Sequence, residues 1–425
     1  MKLPNPMPLP RRPLPPMRHV RQSLPADHIP DVRKDVREKL TGSGLLGAIQ
    51  PGHRIAITAG SRGIGGLVEI LSGIIDAVRE RRGEPFVIPA MGSHGGSTPD
   101  GQTEILRRLG VSEETVDAPV LATMETHALG EAGNGAVAHF DRFAAEADGA
   151  IVLGRTKTHP ESAGELASGL LKMCTVGLGK QIGAHQAHSH GLWDSVRAVP
   201  RLQLARGNIL CGVAVVENGY RQPCAIEVTP PSYDAFLEAD QRLLRLAKKH
   251  LAHIPFNDLD LLIVDELGKT VSGAGMDPNV IGHWRISNEA PRQPDFRRIA
   301  VLSLTYPSLG NGLGVGMADI TTRRFADSYD PVVSYINLLT ASEPGGNTRE
   351  GPIPLAVESD RDAIEVALFS SLPRPAPRVC RIRNTARLDE LWVSDALLPE
   401  VKTASNLDVE DGSTLMQFDE AGNLF

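Results

Sequence analysis

The chain has 425 residues, with 41% hydrophobic and 22% charged side chains, a balance that belongs to folded proteins and excludes a disordered one. That length exceeds one ordinary core and predicts two domains. A formal net charge of -7 provides no overall basic field for nucleic acid, so an anionic ligand must be drawn in by a few local cations.

Residues 1–30 open with "MKLPNPMPLPRRPLPPMRHVRQ", basic and proline-rich but without the apolar core of a secretory signal. They read as an extended arm lying on the surface or on a partner subunit, with disorder as the other reading. From about Pro51 to Val216 strand-like and helix-like runs alternate. Strands are expected at 54–58, 85–89, 149–153 and 209–216, and helices at 67–82, 100–109 and 233–250. In the first helix Leu67, Ile70, Leu71, Ile74, Ile75 and Val78 recur at intervals of three and four, which puts one apolar stripe on one face. Such alternation predicts parallel strands joined by crossover helices.

Pro255, Asn257 and Asp258 break the helix before them and mark a hinge, after which new strands are expected at 261–264 and 299–304. The fold class is therefore α/β, with two α/β domains of mainly parallel sheets at 31–255 and 256–425. The purest apolar run, 209–216, is strand-sized, so no membrane span is expected. The four cysteines form no CxxC pair and no metal-ligand spacing, which points to a reduced, cytoplasmic compartment.

"ITAGSRGIGG", residues 57–66, stands between a strand and a helix as a dinucleotide-binding turn would. A short-chain dehydrogenase also needs a tyrosine with a lysine four residues on, because the lysine lowers the pKa of the proton-donating phenol. Tyr220, Tyr233, Tyr306, Tyr329 and Tyr335 all lack that lysine, so the NAD reading has no catalyst. "GLGK", residues 177–180, fails as a phosphate loop, with Cys174 where a glycine belongs and Gln181 where magnesium needs Ser or Thr.

The histidines carry more. "AMGSHGG" places His94 just after one strand, and "GRTKTHPESAG" places His159 just after another. Two turn histidines can approach one small substrate from opposite sides and remove a proton on either face. "SGLLKMCTVGLGKQIGAHQAHSHG" adds Lys172, Lys180, His185, His188 and His190. With no carboxylate or thiolate among them, these three histidines suit nickel, copper or zinc.

Together, "MGSHGG", "KTHPESAGELASGLLK", "GLGKQIGAHQAH" and "DELGKTVSGAGMDPNVIG" resemble the lactate racemase family, nickel-dependent racemases and epimerases of 2-hydroxy acids. The resemblance runs from about Arg54 to Asp319. It implies an isomerase with its active site in a cleft between two α/β domains. Its cofactor would be the nickel-pincer nucleotide, a pyridinium mononucleotide that holds nickel through carbon and sulfur. By the same resemblance Lys172 tethers the pincer, His188 binds nickel, His94 and His159 are the acid–base pair, and Arg62 receives the substrate carboxylate. The glycine turn would then hold an anion through its backbone N–H groups, with Ser61 and Thr58 on substrate or cofactor phosphate. Lys269, Asp277 and Asn279 would contact the nucleotide from the second domain, and Asp319 stands out in another glycine-rich loop.

The implied partners are a small anionic 2-hydroxy acid and the proteins that make the cofactor, with no nucleic acid and no membrane. The implied chemistry is reversible hydride transfer from C2 to the pyridinium ring through a 2-keto acid. Two features depart from lactate racemase itself: 13 residues separate His159 from Lys172, and His283 stands where an arginine is expected. Besides an NAD-type dehydrogenase, ranked lower for want of its catalyst, two other readings remain at this stage. One is a non-catalytic carrier of nickel or the pincer, and the other a zinc hydrolase built on the 185–190 histidines without an HExxH-type base.

Overall fold

The computed structural model describes residues 12–159, 164–285, 293–341, 348–371 and 374–425. The protein is α/β, with helices laid against mainly parallel sheets. It forms two compact units, Pro25–Leu251 and Ala252–Phe425, the second taking in the chain up to Leu24 as well. Part of the "KTHPESAGELASGLLK" motif, residues 160–163, lies outside the described residues, as does the start of the arm.

Strand β1 (Met17–Gln22) belongs to the second unit. The first unit carries β2 (Arg54–Ala59), β3 (Glu84–Pro89), β4 (Thr126–Glu131), β5 (Val137–Asp141), β6 (Gly149–Arg155), β7 (Ile209–Glu217) and β8 (Pro223–Thr229). Its main sheet has the order β3-β2-β6-β7-β8, parallel except for β8, while β4 and β5 pair as a separate hairpin. Both sheet faces are buried, because successive side chains alternate. In β6, Ile151 and Leu153 join one core and Ala150 and Val152 the other. The helix expected from residue 67 runs Leu67–Glu80, and its entire apolar stripe is buried. Helices also form at Pro99–Arg108, capped by Thr98, and at Tyr233–His250, capped by Ser232.

One stretch has a form that periodicity does not announce. After a short α-helical turn at Leu170–Lys172 the backbone passes into a π-helix, Met173–Leu178, and then into a helix at Lys180–Ser189. π-Turns of this kind recur at functional sites. A further helix follows at Leu192–Arg206.

The second unit adds β9 (Asp258–Leu259), β10 (Leu261–Leu267), β11 (Asp295–Phe296), β12 (Ile299–Leu304), β13 (Ile320–Thr322), β14 (Leu355–Val357), β15 (Val379–Asn384), β16 (Arg387–Ser394) and β17 (Leu407–Val409). Its large sheet has the order β14-β13-β12-β10-β15-β16-β1-β17. Strands from β14 to β15 in that order run parallel, and the remaining pairings are antiparallel. No helix among the described residues is long and apolar enough to cross a membrane.

The arm therefore departs from expectation. Residues 17–22 are an interior strand, held between β16 and β17, with Val20 opposite both Leu391 and Val409. Prolines at 13, 15 and 16 hide the strand in the sequence, and its partners lie hundreds of residues away. Because Val20 is fully buried, Val20→Ala should cost about 2 kcal/mol through lost burial and a residual cavity. The expected result is a lower urea midpoint for the second unit; an unchanged midpoint would place the arm outside the core.

Candidate active site

In the first unit, β2 connects onward to β3 on one side, whereas β6 connects to β7 on the other. Where connections diverge in this way, an open parallel sheet leaves a crevice at the carboxyl ends of the two strands. The register shows the strands parting. Backbone pairing of β2 with β3 continues to Ala59 and Pro89, but its pairing with β6 stops at Ile57 and Ile151. Beyond that point the Thr58 hydroxyl takes over, donating to Leu153 O at 3.2 Å and accepting from Leu153 N at 2.9 Å. Thr58 is fully buried and committed to this stitch. The structure thus gives Thr58 a strand-joining role.

One backbone N–H of the turn after β2 is taken by a carboxylate of the protein itself. Gly65 N donates to Glu217 Oε1 at 2.7 Å, and the other carboxylate oxygen takes Arg155 Nη1 at 2.5 Å. A Cβ at Gly65 would fall 1.9 Å from Arg221 O, so only glycine admits this close packing. Ser61, expected on substrate, lies with its Oγ 2.5 Å from His94 Nδ1. That contact fixes the ring and directs Nε2 away from Ser61. Arg62 stays accessible to solvent although protein atoms crowd around it. Crowding, and then the charge of Arg155, lower its pKa.

After β3 the chain turns through 90–94, and Gln102 Nε2 holds the carbonyls of Gly92 at 2.8 Å and His94 at 3.2 Å. The His94 side chain is exposed. After β6, Thr156 and Thr158 are buried while Lys157 and His159 alternate with them and keep surface exposure. Extended backbone places such alternate residues on one side. Lys157 is a site cation that inspection of the sequence passes over.

His159 Nε2 lies 2.6 Å from Lys172 Nζ, and the Trp193 ring meets His159 edge-on at 5.2 Å. The Lys172 ammonium is also 5.6 Å from the Trp193 ring centre. An ammonium only donates, so Nε2 is the acceptor nitrogen and the imidazole is neutral. Part of the ring still meets solvent, yet protein surrounds it closely. Burial pushes its pKa well below the ordinary value, and the charges of Lys172, Lys157, Arg62 and His188 push in the same direction. All four charges thus act within electrostatic reach of His159, Lys172 in direct contact.

The Lys180–Ser189 helix separates its histidines. His188 is half-buried on the side that buries Gly183, Ala184 and Ala187, whereas His185 and His190 are exposed and His190 Nδ1 is 2.9 Å from Gln186 O. The helical start that carries Lys172 is held by Asp240, which accepts from Leu170 N at 2.8 Å and Leu171 N at 3.0 Å. A Cβ at Gly169 would fall 2.2 Å from that carboxylate. Burial pushes the Asp240 pKa up to about 6. Its signal was present in the sequence: an acid on the stripe of Phe236, Ala239, Leu243 and Leu244. Nothing local, however, names its partner.

In the second unit two of the expected nucleotide contacts, Asp277 and Asn279, are tied to each other. Asp277 Oδ1 accepts from Asn279 N at 2.9 Å and from Asn279 Nδ2 at 2.7 Å, and Asn279 Oδ1 meets His283 Nε2 at 3.0 Å. Lys269 N donates to Ser308 Oγ at 2.9 Å and its Nζ to Gly273 O. Asp319 accepts from Ile299 N at 2.7 Å and pairs with Arg285, a scaffold role.

A neutral His159 adds stability above the ordinary imidazole pKa, and that contribution is lost as pH falls below it, because the unfolded chain binds the proton more readily. Lys172→Met should raise the His159 pKa, followed by NMR titration of the labelled ring; a midpoint that stays put or falls would mean the two groups do not interact. No protein-family model matches this chain, and a comparison with curated proteins found no match.

Proposed function

We propose that the protein is a racemase or epimerase of a small 2-hydroxy acid that works with a nickel-pincer nucleotide. One observation carries the reading. His94 and His159 stand in the turns after β3 and β6, and the turn after β2 lies between them, with Ser61 on His94 and Arg62 near His159. A carboxylate on Arg62 would thus bring the adjacent carbon between two imidazoles.

The residues fit the cofactor. Among the described residues no three His, Cys, Asp or Glu side chains gather as a metal site of their own. In the pincer cofactor most of the metal's donors come from its ligand, and His188 would be the protein nitrogen. Lys172 and Lys157 suit an anionic mononucleotide, and Lys172 would tether it. When bound, this cofactor would supply a hydride acceptor for the C2 hydrogen.

The chain's own groups do the remaining work. Arg62 binds the carboxylate with two prongs and leaves C2 free to turn. Ser61 holds His94 Nδ1, so Nε2 takes or returns the hydroxyl proton on one face. Linking Lys172 covalently would withdraw its ammonium from His159, and His159 Nε2 would serve the other face. The NAD alternative is weaker, because a pyrophosphate at the glycine turn would meet the Glu217 carboxylate. None of the four cysteines forms a disulfide, in keeping with a cytoplasmic enzyme supplied by cofactor-biosynthesis proteins.

Protein made with the cofactor pathway and nickel should carry about one nickel per chain, lost on His188→Ala, by metal analysis. Retention in that variant would move the ligand to another residue, and zinc alone under nickel-replete conditions would end the assignment. Substrate deuterated at C2 should give product that keeps its label, and turnover in D2O should add almost none. Ready entry of solvent label at C2 would instead require an enolate and a histidine-borne proton.

A further inference from the structure

We propose that Lys180 is a positioning residue for His94, its buried ammonium joining the turn after β3 to the first turn of the helix that carries His188. The inference rests on the reading that His94 acts in the site. Lys180 has no exposed surface. Its Nζ donates to Pro89 O at 2.7 Å and to Gln102 Oε1 at 2.7 Å, and it faces Asp141 Oδ2 at 3.4 Å. Two of these acceptors take hydrogen bonds from the ammonium, and the third, a carboxylate oxygen on another element, lies within ion-pair range. Gln102 passes the constraint on, because its Nε2 holds the carbonyls of Gly92 and of His94 itself. A single buried side chain therefore stands between Lys180 and the His94 backbone.

The position is expensive for a lysine. Lys180 has φ 56, in the left-handed region, where a residue with a Cβ is strained. A buried ion pair is also commonly no more stabilising than well-packed apolar residues of the same volume. Glycine would relieve the strain and methionine the desolvation, but neither could donate to Pro89 O and Gln102 Oε1. Strain of this kind persists where the surroundings over-determine it, and such places cluster at working sites. The residue gained by that arrangement is His94, whose Nδ1 must reach Ser61 Oγ.

The test uses Lys180→Met and Gln102→Met in the full chain, each retaining side-chain volume. Both should still unfold cooperatively, while the 15N shift of His94 Nδ1 moves toward that of a ring without the Ser61 contact. In cofactor-loaded protein kcat should fall about 10–100-fold with little change in KM, as for a misplaced catalytic group. The double variant should be no worse than either single one, because the two side chains act as one connection. If Lys180→Met does not fold, Gln102→Met carries the same test without touching the ammonium. A His94 shift that matches the parent in a folded variant overturns the proposal, even where His94 proves essential for turnover. If the shift moves but no 2-hydroxy acid is turned over by the parent, the positioning role stands and the reaction assigned above fails.

Discussion

The hydroxyl of Thr58 bonds the backbone of Leu153 at the level where β2 and β6 cease to pair through their own amides. Two parallel strands that lead in opposite directions cannot stay zipped to their ends, since each next turn must leave on its own side. A side-chain hydroxyl spans the widening gap at the last place it can. Above it, the turns carrying Ser61 and Arg62 on one strand, and Lys157 and His159 on the other, open toward the same space. The positions of Arg62 and His159 follow from this parting of strands.

Charge is distributed in a consistent way around that opening. Three carboxylates are drawn into the scaffold: Glu217 on Gly65 N and Arg155, Asp240 on the start of the Lys172 helix, and Asp141 beside Lys180. Each satisfies backbone or cationic groups that would be costly to bury alone. Arg62, Lys157 and Lys172 meanwhile act within electrostatic reach of His159. The surroundings thus favour a neutral imidazole and set positive charge beside it, although the whole chain carries a net charge of -7. Local placement, and not overall charge, decides what such a site attracts.

The second unit obeys the same α/β logic with a different edge. Its parallel strands end in an antiparallel flank made by β16, β1 and β17, so the beginning of the chain completes a sheet composed near its end. Burying Met17 and Val20 there secures the arm to the unit. The loops after β10 and β12 are bound together through Lys269, Thr305 and Ser308. Asp277, Asn279 and His283 form one hydrogen-bonded set.

The sequence by itself determined the elements whose information is local. Apolar residues at helical spacing, such as Leu67 to Val78, and short β-leaning runs, such as Ile209 to Val216, bury the faces their periods define. It also placed His94 and His159 after strands, because a turn is legible wherever an apolar run stops. Only the tertiary structure decided which polar groups meet. The contacts of Asp240 with Leu170 N, of Glu217 with Gly65 N and of Lys180 with Gln102 join residues 70, 152 and 78 positions apart. The same holds for the burial of His188 beside exposed His185 and His190, which depends on the helix face packed against its neighbours. Periodicity reports what one segment buries; a hydrogen bond between distant segments exists only once the strand order has brought their ends together.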